Sequence, residues 1–307
     1  MGYRITGGLF YVFLLFFSLS LQAQTVDDIN QQKIDSAANL SFQYITTNPK
    51  DAFLQLQEAE RIADSLNYKK EQAAILSNLS LCQNYLGKLD EAAEDRIKSI
   101  RLYEELGLLY EAGKGYALLG WGTRKRNLQR GEYFMNKGIQ LLTAYPNSIE
   151  LSNAYNNYGM LKLELEQLDS AILFINKSLD IKIENKDTLG IAYSYGYLSA
   201  AYQELGNLDD AIRYLNRSYT LKEQMSDSSG MAVDLTNIAA LYQMQDDSAL
   251  AIKNYKASLK LAREVDYSEL AEHNYRSLSA YFESHSNLDS ALHYQKDFFA
   301  YDQRRIN

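Results

Sequence analysis

The chain holds the residue types that carry chemistry, but at spacings that serve few reactions. Gly107 followed by Gly113-Lys114-Gly115 has the content of a phosphate-binding loop. That loop needs glycine, four residues, then Gly-Lys-Ser/Thr, so that backbone N–H groups cradle the phosphates and a hydroxyl reaches the metal. Here the gap is one residue too long, no Ser or Thr follows Lys114, and no strand pattern precedes it. Gly113-x-Gly115 also opens like a dinucleotide fingerprint, which requires a small residue where Leu118 stands. Both groups read as small residues at helix contacts. The three histidines, His273, His285 and His293, lack the H-E-x-x-H spacing of a zinc site, so no metal site is assigned. Asp209-Asp210 and Asp246-Asp247 stand at turns, where carboxylates cap free backbone N–H groups. No catalytic residue and no cofactor is assigned, and the chain reads as non-enzymatic. The one concentrated recognition group is Trp121 with Arg124 and Lys125, a ring for burial and two cations for a carboxylate. The single cysteine, Cys82, cannot form an internal disulfide and reads as a small packed residue.

These residues need elements to hold them. The 307-residue chain has only two prolines, Pro49 and Pro146, and few strand-like alternations, which favours helices throughout. Its formal charge of -8 argues against nucleic acid as a partner, because phosphate binding wants a basic face. Met1 to Ala23 has Arg4 ahead of an apolar run, Leu9 to Leu21, broken only by Ser18 and Ser20. The run is short for a membrane span and ends at a small residue suited to cleavage, so it predicts an export signal cut near Ala23. A periplasmic or secreted protein is expected, with membrane contact only if the signal stays uncleaved or a span follows the given chain.

Tyr197 to Leu221 shows the organising unit. Leu198, Ala201, Tyr202 and Leu205 share one helical face; Ala211, Ile212, Tyr214, Leu215, Ser218 and Tyr219 share another beyond a break at Gly206-Asn207. Asp209 is expected to cap the second helix. The hairpin recurs. Leu-Asp-x-Ala appears at Leu89–Ala92, Leu168–Ala171, Leu208–Ala211 and Leu288–Ala291. Small residues at 52, 92, 131, 171, 211, 251 and 291 follow at gaps of 40, 39, 40, 40, 40 and 40 residues. A fixed period of this size marks a stacked helical array. The third unit is irregular: Gly131 and Gly138 replace the small Ala or Ser, and its turn is one residue short. Glycine inside a helix costs about 1 kcal/mol relative to Ala, so this unit should be either the softest hinge or a place of close helix contact.

Within the period, Tyr195, Leu198, Ser199, Tyr202, Gly206, Leu208, Asp209, Ala211 and Ser218 match the tetratricopeptide repeat (TPR) position by position. The chain resembles the long, about forty-residue TPR subclass. The resemblance implies an all-α, right-handed α-α superhelix of about seven hairpins, with repeats near 34–67, 68–107, 108–147, 148–187, 188–227, 228–267 and 268–307 after a polar lead-in over 24–33. It also implies that first helices line a concave groove taking a protein or peptide. The positions that face it would hold Asn78, Tyr85, Trp121, Arg124, Lys125, Asn156, Asn157, Tyr193, Tyr197, Gln203, Asn237, Gln243 and Arg276. Amides bond to backbone groups, and rings give contact area at low rotamer cost. The chain further resembles the exported N-terminal TPR sensor region of Bacteroidetes histidine kinases and helix-turn-helix regulators, which implies a signalling input module as the alternative. Asp-Ser/Thr pairs ending at Ser36, Ser65, Ser170, Thr188, Ser248 and Ser290 resemble the O-glycosylation acceptor of such exported proteins, or, at three of them, are simply the Asp-Ser-Ala start of a second helix.

Overall fold

A computed structural model describes residues 27–306; the expected export signal, Met1 to Ala23, lies outside the described residues. The fold is the all-α array of helical hairpins expected from the repeat, with no strand among the described residues. Helix α1 covers 27–38. It is followed by α2 (Phe42–Thr47), α3 (Pro49–Ser65), α4 (Lys69–Tyr85), α5 (Leu89–Glu105), α6 (Leu109–Thr123) and α7 (Leu128–Leu142). Then come α8 (Ile149–Glu164), α9 (Leu168–Glu184), α10 (Thr188–Glu204), α11 (Leu208–Gln224), α12 (Ser228–Met244), α13 (Ser248–Glu264), α14 (Ser268–Ser284) and α15 (Leu288–Ile306). No helix among the described residues is long and apolar enough to cross a membrane. The chain divides into two compact units, Met1–Ala144 and Tyr145–Asn307.

The helix boundaries follow from local chemistry. Asp187, Asp227 and Asp247 each accept a hydrogen bond from the backbone N–H three residues on, at Gly190, Gly230 and Leu250, over 2.9, 2.9 and 3.0 Å. This satisfies one of the free donors of a first helical turn. The same chemistry explains Thr188 and Ser248 as helix starts. One expectation shifts by two residues: the cap of α11 is Asn207, whose side chain accepts from Asp210 N at 3.2 Å. Asp209 lies inside the first turn and instead accepts from Gln245 Nε2 at 2.8 Å. The helix starts at Leu208, because Leu208 must pack under the hairpin. Most helices end on a left-handed residue that lets the chain reverse. Glycine takes that role at 87, 107 and 206, but Asn67, Glu166, Lys186, Ser226, Asp246, Asp266 and Ser286 hold φ of 53–60° without its freedom.

In the first unit, α6 and α7 cross backbone to backbone. A Cβ on Gly138 would lie 2.6 Å from Ala117 N and 2.7 Å from Gly113 O, and one on Gly131 would lie 2.8 Å from Arg124 Cα. The irregular third hairpin is therefore a close contact and not an empty seam. Cys82 is buried, its Sγ 2.7 Å from the Pro49 carbonyl it donates to, and burial pushes the thiol pKa up. In the second unit, each hairpin closes on small residues at the crossing, as at Ala211 and Ser218. Ser258 of α13 donates to the Ala232 carbonyl of α12 at 2.6 Å, and Ser99 of α5 makes the equivalent bond to Ala73 of α4 at 2.7 Å.

Candidate functional site

In the first unit the expected site residues lie on α4 and α6. Asn78 is not available to a ligand: its Nδ2 donates to the carbonyls of Ala37 and Ala38 at 3.0 and 3.2 Å, capping the end of α1. Tyr85 is half exposed and meets Phe42 edge-on, 6.5 Å between centroids. Trp121 is partly buried, and the Arg124 guanidinium lies flat over it, 3.3 Å from the ring centroid. The same guanidinium donates to the Trp121 carbonyl at 2.6 Å. Ring and cation thus form one stacked plate at the end of α6, with Lys125 exposed beside it. Open space lies off Gly122, where an added Cβ would meet nothing within 4 Å.

In the second unit, α8, α10, α12 and α14 supply the rest. Residues three or four apart share a helix face, and those two apart point nearly opposite ways. Tyr193 and Tyr197 therefore share the face of α10 opposite Tyr195. Tyr193 is half exposed, with Lys222 Nζ 5.8 Å from its ring. Asn157 is partly exposed and Asn237 exposed. Among the described residues the side-chain amides of Asn157, Gln203 and Asn237 make no hydrogen bond. Gln243 is exposed and accepts from the Tyr255 hydroxyl at 3.3 Å. Arg276 is turned to its own hairpin, ion-paired with Glu272 at 2.6 Å and 5.8 Å from the Phe298 ring. Asn156, expected beside Asn157, is buried: its Nδ2 donates to Ser194 Oγ at 3.1 Å.

That last bond belongs to a polar seam that sequence reasoning did not find. Lys182 is 3% exposed, with its stem over Gly190 and its Nζ 3.4 Å from Ser194 Oγ. Burial pulls its pKa down to about 8, against the weaker pull of Asp187. Forty residues on, Lys222 occupies the equivalent place and pairs with Asp234 at 2.8 Å, both side chains under 7% exposed. Burial pushes the Asp234 carboxyl up, and the bonds from Lys222 oppose that. At the third seam Thr236, Ser258 and Asn274 bond to one another at 2.7, 2.8 and 3.0 Å. The visible signal was lysine at 182 and 222, where the other hairpins carry Ala63, Tyr103, Leu142, Ala262 and Asp302.

What the exposed faces offer is recognition. Among the described residues no three His, Cys, Asp or Glu side chains converge as a metal ion would need. Amides with free donors and acceptors, tyrosine rings and one Trp–Arg plate suit a chain with its own backbone groups to satisfy.

Residues 150–224 match the family described as tetratricopeptide repeat. No sequence among the curated proteins matches this chain. Three solved structures share its fold. A Rap protein complexed with competence and sporulation factor is 9% identical with a TM-score of 0.58, over 89% of this chain and 98% of that one. The apo form of the quorum sensor NprR from B. thuringiensis is 12% identical with a TM-score of 0.58, over 96% of this chain and 94% of that one. A signal-transduction ATPase with a tetratricopeptide-repeat sensor, from Pyrococcus horikoshii, is 16% identical with a TM-score of 0.71. That match covers 97% of this chain and 46% of the ATPase.

Proposed function

We propose that this chain, in which residues 150–224 match the tetratricopeptide repeat, is a non-enzymatic scaffold that binds a protein or peptide along the first helices of its second unit. The observation that carries this reading is the set of unpaired amides on α8, α10 and α12, of which Asn157 and Asn237 hold the same repeat position as Tyr197. Asn157, Gln203 and Asn237 keep their hydrogen-bonding groups unpaired within the chain, whereas Asn156 and Asn274 one or two helix faces away are buried and bonded. Unpaired amides flanked by Tyr193 and Tyr197 can bond an extended chain without first breaking an internal bond. The Trp121–Arg124 plate of the first unit is a separate contact of the same kind.

The test is selection of binders from a random peptide library against the whole protein. Selected peptides should lose at least about tenfold in affinity on the Asn157→Ala/Gln203→Ala/Asn237→Ala variant, the scale of a truncated hot spot. The urea midpoint of that variant should be unchanged. Peptides that bind wild type and variant alike would refute the placement.

A sensor role within a signalling system is the finer reading, and it rests on the likeness to a quorum sensor and to an ATPase with a repeat sensor. Export through residues 1–23 is part of it. Cell fractionation with N-terminal sequencing of the mature protein tests the export: a chain beginning at Gln24 outside the cytoplasm supports it, and an intact Met1 in the cytoplasm removes it.

A further inference from the structure

In the first unit, α3, α4 and α5 line a cavity of about 270 Å³. Leu76 and Leu79 of α4, both buried, give it an apolar floor. Its polar lining departs from the repeat. Glu60 of α3 stands where the later hairpins carry Ile100, Ile139, Leu179, Tyr219, Leu259 and Phe299. Gln83 of α4 and Asp95 of α5 stand where two later hairpins hold stacked rings, Tyr202 on Tyr214 at 5.2 Å and Phe282 on Tyr294 at 5.7 Å. Three polar groups thus meet at a place where those hairpins pack apolar ones.

These groups satisfy one another only in part. Gln83 is 5% exposed; its Nε2 donates to Asp95 Oδ2 at 2.9 Å, and among the described residues its buried Oε1 accepts no hydrogen bond. A buried acceptor without a donor costs free energy that a bound donor would restore. The other oxygen of Asp95 meets Lys98 Nζ at 2.9 Å, and Glu60 accepts from Gln72 Nε2 at 3.0 Å. Arg61 of α3 also lines the cavity and makes no ion pair or hydrogen bond among the described residues. Among the lining groups Glu60 and Asp95 balance Arg61 and Lys98, so a guest of a single charge meets repulsion from one pair or the other. Just outside, Asp64 shares the Gln72 amide with Glu60 and Glu94 acts on Lys98, which further disfavours a guest that is only an anion.

We propose that this cavity binds a free α-amino acid with an apolar side chain. The ammonium would donate to Gln83 Oε1 and to Glu60, the carboxylate would accept from Arg61, and the side chain would cover Leu76 and Leu79. An amide oxygen and a carboxylate are the acceptors an ammonium needs, and a guanidinium fork fits a carboxylate. Ligand sites commonly span about 300–1,000 Å³, so a cavity at the lower end of that range takes a small guest. A metal ion would face Arg61 and Lys98 as like charges, and a fatty acid would face Glu60 and Asp95. The site stands on other helices than the amides proposed to bind a peptide.

The experiment is isothermal titration calorimetry on the full chain with L-leucine, with isoamylamine, which lacks the carboxylate, and with isocaproate, which lacks the ammonium. Leucine should bind saturably, and each analogue at least about tenfold more weakly, because each leaves one set of site groups unpaired. Arg61→Ala, at an exposed position, should weaken leucine at least about tenfold, the scale of a lost charge-assisted hydrogen bond, and leave isoamylamine unchanged. Gln83→Tyr/Asp95→Tyr installs the ring pair of the later hairpins; it should abolish leucine binding while the urea midpoint holds or rises. The Asn157→Ala/Gln203→Ala/Asn237→Ala variant should bind leucine normally, which separates this site from the peptide face. Absence of leucine binding, as in a cavity that holds only water, overturns the proposal. So do an isoamylamine or isocaproate affinity equal to that of leucine, unchanged leucine affinity in a folded Arg61→Ala chain, and loss of leucine binding in the triple amide variant.

Discussion

Lys182 and Lys222 stand at the same place in successive hairpins, and replacing each by methionine should change stability in opposite directions. Methionine keeps most of the aliphatic stem that packs over Gly190 or Gly230 and removes only the charge. Lys182 has one long contact, 3.4 Å to a serine hydroxyl, and its pKa is drawn from 10.5 to about 8. At about 1.36 kcal/mol per tenfold, the buried charge destabilises the fold by about 3 kcal/mol as an upper bound. Lys182→Met should recover about 2 kcal/mol at pH 7, after allowance for the lost contact with Ser194. Lys222→Met should instead cost about 3 kcal/mol, because it leaves the Asp234 carboxylate buried without its cation.

The pH dependence supplies an independent check. The folded pKa of Lys182 lies below its unfolded value, so between about pH 8 and 10.5 the unfolded chain binds more protons than the folded one. Stability contributed at this site therefore rises with pH across that window. Lys182→Met should abolish the rise, and its advantage over wild type should shrink as pH passes 8 toward 10.5. The measurement is urea denaturation followed by far-UV circular dichroism at several pH values. Hydrogen exchange in α9 and α10 would localise the change, since a repeat array need not unfold all at once. A Lys182→Met chain less stable than wild type at pH 7, or two variants that move in the same direction, would refute the reasoning.

Three further outcomes are expected. Lys186→Gly should raise the unfolding free energy by about 0.5–1 kcal/mol, read from urea denaturation, because Lys186 holds φ of 57° in a turn where glycine carries no Cβ strain. Gly138→Ala should lower stability by about 2 kcal/mol despite better helix propensity, because its Cβ would sit 2.6 Å from the Ala117 nitrogen; a stabilised variant would show that α6 and α7 can part. Excising residues 188–227 sets Lys182 beside Asp234, whereas excising 228–267 sets Lys222 beside Asn274; circular dichroism should find the first deletion the more stable by about 2–3 kcal/mol.

The hairpins were legible in the sequence because a forty-residue period of small residues leaves little choice of crossing point. What one sequence could not separate was neighbours on a helix. Asn156 and Asn157 are adjacent and chemically identical, yet one is buried at a seam and the other faces outward, a difference of about 100° of helix rotation. Asn78 holds the same repeat position as Asn157 and Asn237, but α1 stops at residue 38 and its free carbonyls capture the amide. Trp121 and Arg124 were singled out as ring and free cation; their spacing of three residues on a helix lets them stack on each other first.

Comparison of equivalent positions within the array separates polar residues that hold hairpins together from those that meet a partner. At the three seams of the second unit the buried groups differ: Lys182 with Ser194 and Asn156, Lys222 with Asp234, and Thr236 with Ser258 and Asn274. Apolar seams of similar shape would be interchangeable and would tolerate slippage by one hairpin. Each buried polar set instead leaves a charge or an amide unpaired when the wrong hairpin is its neighbour, and that penalty exceeds the worth of the correct pair. A wrong neighbour at these seams would therefore cost more than at an apolar seam, and the excision of whole hairpins tests that difference. Polar residues that lack a partner within the chain have no such role to explain them. Asn157, Gln203 and Asn237 make no side-chain hydrogen bond among the described residues, and the proposed peptide site is placed on them for that reason.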